Sequence, residues 1–234
     1  TFHPVAVRDE RTVYVPWIDG RAGENGPEIR IARSTDHGRS FTPSVVVARG
    51  ACPCCRTALA LDGSTVYVGW RDAAEGSIRD VVVPRSIDGV TWSSPVAVHA
   101  DGWRIDGCPH AGPALAVTND GRLHVAWYTG TPHGPGLHYV TADSTLTFGT
   151  PRPLLTGEWV PPSLVALAPR GGRGAAACED RRTDAPSVSF ARPQNADDAA
   201  LFAGIAPALD ARGDAYGLAC LRGDRVLVVL ETAR

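Results

Sequence analysis

The chain has 234 residues, 44% of them hydrophobic, which is enough for a sizeable core and excludes general disorder. Its 25 acidic residues nearly balance 23 basic ones, all arginine, and with a net charge of −2 no basic stripe marks a nucleic-acid surface. The longest uncharged apolar stretch, residues 199–209, is eleven residues long and holds Gly204 and Pro207, so no segment reads as a membrane span.

With 25 glycines and 19 prolines and no collagen period, the composition suits many short strands joined by tight turns. Residues 5–7 and 12–17 predict a β-hairpin whose second strand, Thr12-Val-Tyr-Val-Pro-Trp17, ends on an aromatic. A third strand follows over 29–33 and a fourth over 44–48. The order then returns: a hairpin at 58–61 and 65–70 around Asp62-Gly63, a third strand over 81–85, a fourth over 95–99. Residues 114–117 and 122–127, around Asn119-Asp-Gly121, open another unit with its third strand over 137–140. Residues 174–178 and 188–192 mark a fourth copy, and 225–230 a partial fifth. The Asp-Gly and Asn-Asp-Gly steps supply the positive φ that tight hairpins need. Positions 17, 70, 127, 178 and 230 of these strands lie 53, 57, 51 and 52 residues apart. Four antiparallel strands per unit, repeated radially, predict an all-β propeller; a two-sheet sandwich does not explain the period. The expectation is one domain over 1–234, with repeats at 1–50, 51–100, 101–156 and 157–209 and a partial one at 210–234, belonging to a six-bladed ring. The chain holds no Met and starts at Thr1, so it is expected to be a processed or truncated product whose signal peptide is already gone.

Between third and fourth strands stands Ser34-Thr-Asp36-His-Gly38-Arg-Ser-Phe41, with a shorter copy at Ser86-Ile-Asp88-Gly89-Val-Thr-Trp92 and a degenerate one at Thr141-Ala-Asp143-Ser-Thr-Leu-Thr-Phe148. With three such turns in register, the chain resembles the Asp-box, or BNR-repeat, propellers, the group that includes sialidases. The residue chemistry of the box is that of a folding device: the Asp accepts backbone N–H bonds, the Gly takes the open conformation and the aromatic packs between sheets. Asp36, Asp88 and Asp143 are therefore expected to be turn residues away from any ligand.

Loops entering each first strand and leaving each second strand of a propeller share one face. That face takes Cys52, Cys54, Cys55, Cys108 and His110 from entering loops, and Asp19, Arg21, Arg71, Asp72, Glu179, Asp180 and Arg181 from leaving loops. An offset of 56 residues sets Cys52-Pro-Cys54 on Cys108-Pro-His110. Three thiols and an imidazole suit tetrahedral zinc or copper(I), with Cys55 either a spare ligand or turned away. Six cysteines equally allow three bridges, and one from Cys108 to Cys52, Cys54 or Cys55 would staple two blades. The two readings rank about equally, with His110 favouring metal. Cys178 and Cys220 lie on strands of successive units, to pair or to stay as buried thiols. No motif points to a nucleotide, haem or flavin.

The pattern Cys52-Pro-Cys-Cys55, followed by Asp101-Gly-Trp103-Arg-Ile-Asp-Gly107-Cys108-Pro109 and Gly112-Pro113, is also similar to that of predicted exported bacterial sialidase-like propellers, which implies a secreted or periplasmic protein but brings no demonstrated activity. Sialidases bind the substrate carboxylate with three arginines, attack with a Tyr activated by Glu and protonate with an Asp. They also carry an Arg-Ile-Pro motif that this chain lacks. Arg21, Arg71 and Arg181, with Tyr128, Asp72, Glu179 and Asp180, are the candidates for such a site. The simpler expectation pairs those arginines with Asp19, Asp72 and Asp180 at a solvated rim, leaving sialidase activity absent or very weak. Three functions follow in order: an exported propeller holding a thiophilic metal or a thiol/disulfide site; an exo-sialidase-type glycoside hydrolase on acidic sugars; a non-catalytic protein-binding propeller. The ligand would be a small molecule, glycan or protein at the propeller face.

Overall fold

The computed structural model describes residues 3–73, 77–132, 134–159, 165–170, 173–182, 185–192, 195–212 and 215–232. Apart from a 3-10 segment at Gly20–Asn25, the regular elements among them are strands, and none is a helix long and apolar enough to cross a membrane. The chain divides into two units, Thr1–Leu115 and Ala116–Arg234.

In the first unit, β1 (Ala6–Val7), β2 (Val13–Asp19), β3 (Glu28–Ser34) and β4 (Val45–Arg49) form one antiparallel sheet in chain order. β1 is only two residues long and pairs with Tyr14 and Val13; Pro16, which has no N–H to donate, lies beyond it. The second sheet holds β5 (Ala58–Asp62), β6 (Thr65–Arg71), β7 (Val81–Val83), β8 (Arg85–Ser86) and β9 (Val96–Ala97). The third strand expected over 81–85 is thus split at Pro84 into β7 and β8, both paired with β6, and the fourth shrinks to two residues. Tyr14, Ile29, Ile31, Val66, Val68 and Trp70 fill one buried cluster between the two sheets. These are the inward positions of alternating strands, so the period-2 pattern dictates the core.

The Asp-centred turns do local work. Asp36 Oδ1 accepts from Ser40 N at 2.9 Å and from Ser34 Oγ at 2.7 Å, and Ser34 Oγ accepts from Gly38 N at 2.9 Å. Asp88 Oδ1 accepts from Val90 N at 2.8 Å and Thr91 N at 2.7 Å. Asp143 Oδ1 accepts from Thr145 N at 2.8 Å and Thr147 N at 3.1 Å. Hydrogen bonds from Ser40 hold the Asp36 carboxyl well below its ordinary range, and backbone N–H groups do so for Asp88. Gly89 has φ +74°, and a Cβ there would lie 2.8 Å from the Tyr14 ring, so both conformation and space demand glycine.

The second unit, with the first residues of β10 lying before it, contains three sheets. One runs β10 (Ala114–Val117), β11 (Leu123–Thr129), β12 (Gly136–Ala142), β13 (Arg152–Thr156). The next runs β14 (Ala166–Arg170), β15 (Arg173–Asp180), β16 (Ser187–Arg192), β17 (Asn195–Ala203). The last has three strands, β18 (Ile205–Arg212), β19 (Ala215–Arg222) and β20 (Arg225–Thr232). This corrects the expected boundary: residues 205–209 belong to the fifth sheet and not the fourth, and 225–230 form an edge strand. The break falls at Gly204, where a Cβ would lie 2.8 Å from Cys220 Sγ. In the copy at 174–178 the first position is closely packed: a Cβ on Gly174 would lie 3.0 Å from the Tyr139 ring.

Candidate functional site

The cysteines meet where the loop after β4 is stitched to the end of β6. Ala51 bridges Asp72, Cys52 N donates to Arg71 O at 2.9 Å, and Ala73 N donates to Gly50 O at 2.8 Å. Cys55 N returns to Cys52 O at 3.3 Å, which turns the Cys52-Pro-Cys-Cys55 segment back on itself. The loop before β10 runs beside it so closely that a Cβ on Gly112 would lie 2.1 Å from Arg56 O. Cys54 and Cys108 are disulfide-bonded, with Cα atoms 6.0 Å apart. Of the partners open to Cys108 on sequence grounds, the structure selects the middle cysteine, the one whose equivalent 56 residues on is His110.

Three sulfurs, those of Cys52, Cys54 and Cys55, lie within 4.8 Å of one another. Cys52 Sγ is 3.7 Å from Cys54 Sγ, and both Cys52 and Cys55 are buried free thiols. A hydrogen bond from Cys55 lowers the Cys52 thiol to about 6 against the cost of burial, while the same pairing and burial push Cys55 up. The expected convergence of four donor atoms takes a different form. Cys108 is spent on the bond to Cys54, and His110 is not among the donor atoms that meet there. His110 sits at φ +57° with its Nδ1 3.2 Å from Cys54 O, so its ring clasps the partner loop's backbone.

Arg71 departs furthest from the expected solvated rim. It is fully buried, its Nε donates to Ala111 O at 2.9 Å, its Nη1 donates to Arg79 O, and its guanidinium lies 4.9 Å over the Trp103 ring. It thereby ties the disulfide loop, residue 79 and Trp103 to the end of β6, and its charge is coupled to Cys55 and Cys52. Burial raises the Asp72 carboxyl, which sits beside the Gly50 turn. Asp80 accepts from Gly102 N at 3.0 Å and Trp103 N at 3.2 Å and so presents the Trp103 ring. Trp103 stands in the cysteine-bearing motif, but its place under Arg71 and the part of Asp80 were not legible in the sequence, because nothing in the spacing reports which aromatic a buried cation lies over.

Asp19 and Arg21 pair as expected, Arg21 Nη2 lying 2.5 Å from Asp19 Oδ2 with the arginine mostly exposed. In the second unit the pairing shifts by one: Arg181 bonds Glu179, and Asp180 takes Arg182. Arg182 was not among the expected residues, and strand alternation explains it, because residues 180 and 182 share a face and residues 179 and 181 share the other. Asp180 is raised by burial, but hydrogen bonds from Arg182 and Ser189 outweigh this and hold it at about 2. Beside Asp180 and Arg182 opens a cavity of about 370 Å³ lined also by Pro186, Leu201 and Phe202. Tyr128 is buried with its ring centroid 5.6 Å from that of Trp159, a packing role in this structure. Cys178 and Cys220 are both free and buried, not paired, and burial pushes Cys178 up to about 12.

No protein-family profile matches the chain, and no curated protein matches it. Solved structures do. An α-L-arabinanase from Penicillium chrysogenum is 14% identical over 97% of this chain and 75% of its own, with a TM-score of 0.63. An α-L-arabinofuranosidase from Fusarium graminearum is 13% identical over 95% of this chain and 72% of its own, with a TM-score of 0.58. A xylan β-1,4-xylosidase from Bacillus halodurans C-125 is 15% identical over 98% of this chain, with a TM-score of 0.52, and the chain spans 52% of its length. At such identities the likeness shows the fold, which is a β-propeller of antiparallel blades like these five-bladed proteins.

Proposed function

We propose that the chain is an exported propeller, one domain over residues 1–234, whose first unit carries a thiol/disulfide exchange site made by Cys52, Cys54, Cys55 and Cys108. The observation that carries this is the free sulfur of Cys52, 3.7 Å from Cys54 Sγ, while Cys54 is bonded to Cys108. The Cys52 thiolate attacks Cys54 Sγ; the Cys52–Cys54 bond forms, the Cys54–Cys108 bond breaks, and the electron pair leaves on Cys108, which takes a proton from water. The freed Cys108 thiol then attacks the disulfide of an outside compound or protein. A disulfide also fits a secreted or periplasmic setting. The test is native alkylation followed by peptide mass mapping of unreduced protein. A linked Cys54–Cys108 peptide is expected, and in Cys52→Ser that bond should exchange with glutathione at least about tenfold more slowly. Six free thiols in the unreduced protein would overturn the assignment.

A second reading, a glycoside hydrolase, is supported by the arabinanase, arabinofuranosidase and xylosidase named above and by the cavity beside Asp180 and Phe202. The Asp-box turns keep the sialidase variant of it in view, with acidic sugars as substrates. Its test is a panel of chromogenic arabinofuranosides, xylosides and sialosides; turnover lost in Asp180→Asn but not in Cys52→Ser would establish it and set the thiol site aside.

A further inference from the structure

We propose that Cys108 is a redox lock on a copper(I) site formed by Cys52, Cys54 and Cys55. This deepens the thiol/disulfide reading and rests on the Cys54–Cys108 bond it invokes.

Three ligand sulfurs within 4.8 Å of one another match a single metal at their centre, since metal–sulfur bonds of about 2.3 Å in a trigonal plane put sulfurs about 4 Å apart. Two of the three, Cys52 and Cys55, are only 1% exposed, so the set is a shielded, all-thiol one, which selects soft monovalent copper. Zinc would want a fourth protein donor, and His110, whose Nδ1 lies against Cys54 O, is not among the donor atoms that meet there. The loop is already tied in place by Cys52 N to Arg71 O and Cys55 N to Cys52 O, so little chain entropy remains to be lost on binding. The buried guanidinium of Arg71 is coupled to Cys55 and Cys52 and offsets the negative charge that three thiolates around one copper(I) leave behind.

In the oxidised form Cys54 is bonded to Cys108, and the set lacks one of its three anionic donors. Two equivalents of an outside thiol reduce that bond, giving the Cys54 and Cys108 thiols and one outside disulfide. Copper(I) then displaces three protons from Cys52, Cys54 and Cys55 without changing its own oxidation state. Cys108 contributes no ligand; its role is to take Cys54 out of service.

The experiment is anaerobic competition for copper(I) against a bathocuproine chelator. Oxidised wild type is expected to withdraw none. Wild type reduced with a phosphine and freed of it, and Cys108→Ser with no reductant at all, should each withdraw one equivalent. Cys55→Ser should bind at least about a hundredfold more weakly than reduced wild type, and Cys178→Ser, which removes a buried free thiol of β15, should bind as wild type does. Melting curves identify any variant that fails to fold, and reduced wild type then carries the comparison alone. Equal uptake by oxidised and reduced wild type would overturn the lock, and no uptake by either reduced wild type or folded Cys108→Ser would overturn the site. Preference for zinc(II) over copper(I) would overturn the assignment of the metal. Failure here with the Cys54–Cys108 peptide present leaves the exchange reading standing, whereas absence of that peptide removes both.

Discussion

At the scale of single residues, the serines of the Asp-centred turns are more deeply buried than the aspartates they serve. Ser86 is 2% exposed, and its Oγ accepts from Gly89 N at 2.8 Å in a buried position. Ser86→Ala leaves that N–H without a partner and should lower stability by about 1–3 kcal/mol in chemical denaturation. Asp36→Ala should lower the melting temperature by a few degrees while leaving native alkylation of Cys52 unchanged, because Asp36 sits in the turn between β3 and β4 and makes its bonds within it. Arg71 is of another kind. Arg71→Met keeps the bulk against Trp103 but strips two backbone carbonyls of their donor, and a loss of about 2 kcal/mol or more is expected, not rescued by Lys, whose ammonium lacks the planar fork. A melting temperature within a degree of wild type would show that the guanidinium is dispensable.

At the scale of elements, β11 carries a buried polar network through the third sheet. His124 is fully buried, with Nδ1 2.5 Å from Tyr139 Oη and Nε2 3.0 Å from Thr118 Oγ1, and Thr118 Oγ1 donates to Asp120. Burial lowers His124 to about 4, only partly opposed by the Asp120 charge. The unfolded chain binds this proton at its ordinary value near 6.5, so stability is full above that pH and falls as the pH drops toward about 4. Urea denaturation between pH 7 and 4 should show the fall, by about 3 kcal/mol at most, and His124→Gln should flatten it. Gly112→Ala tests how closely the two cysteine loops run, since the new Cβ would lie 2.1 Å from a backbone oxygen. It is expected to slow Cys54–Cys108 formation in oxidative refolding.

At the scale of the whole molecule, the all-β propeller came from the chain's own period, and the resemblance to arabinanase and xylosidase structures agrees with it at 13–15% identity. Fold alone leaves the chemistry open. A clean negative on the glycoside panel together with a mapped Cys54–Cys108 bond would place the chain's chemistry at sulfur and not at sugar.

Hairpins, turn residues and inward-facing apolar positions were legible in the residues because each depends on neighbours a few positions away: Asp62-Gly63 makes its turn wherever it stands, and alternation puts Val66 and Val68 inside. The break of one strand at Pro84, and the transfer of 205–209 to the fifth sheet, were less legible, because they depend on which strand lies alongside. The spacing of Cys-Pro-Cys and Cys-Pro-His pointed to Cys52, Cys54, Cys55 and Cys108 as neighbours, and the structure sets the first three sulfurs within 4.8 Å of one another and bonds Cys54 to Cys108. Which sulfur bonds Cys108, that His110 turns to a carbonyl and that Arg71 is buried under Trp103 were decided by tertiary structure alone. Those outcomes hang on distances of a few ångströms between loops 50 residues apart, and a one-dimensional pattern carries the identity of such groups but not the direction in which each side chain points.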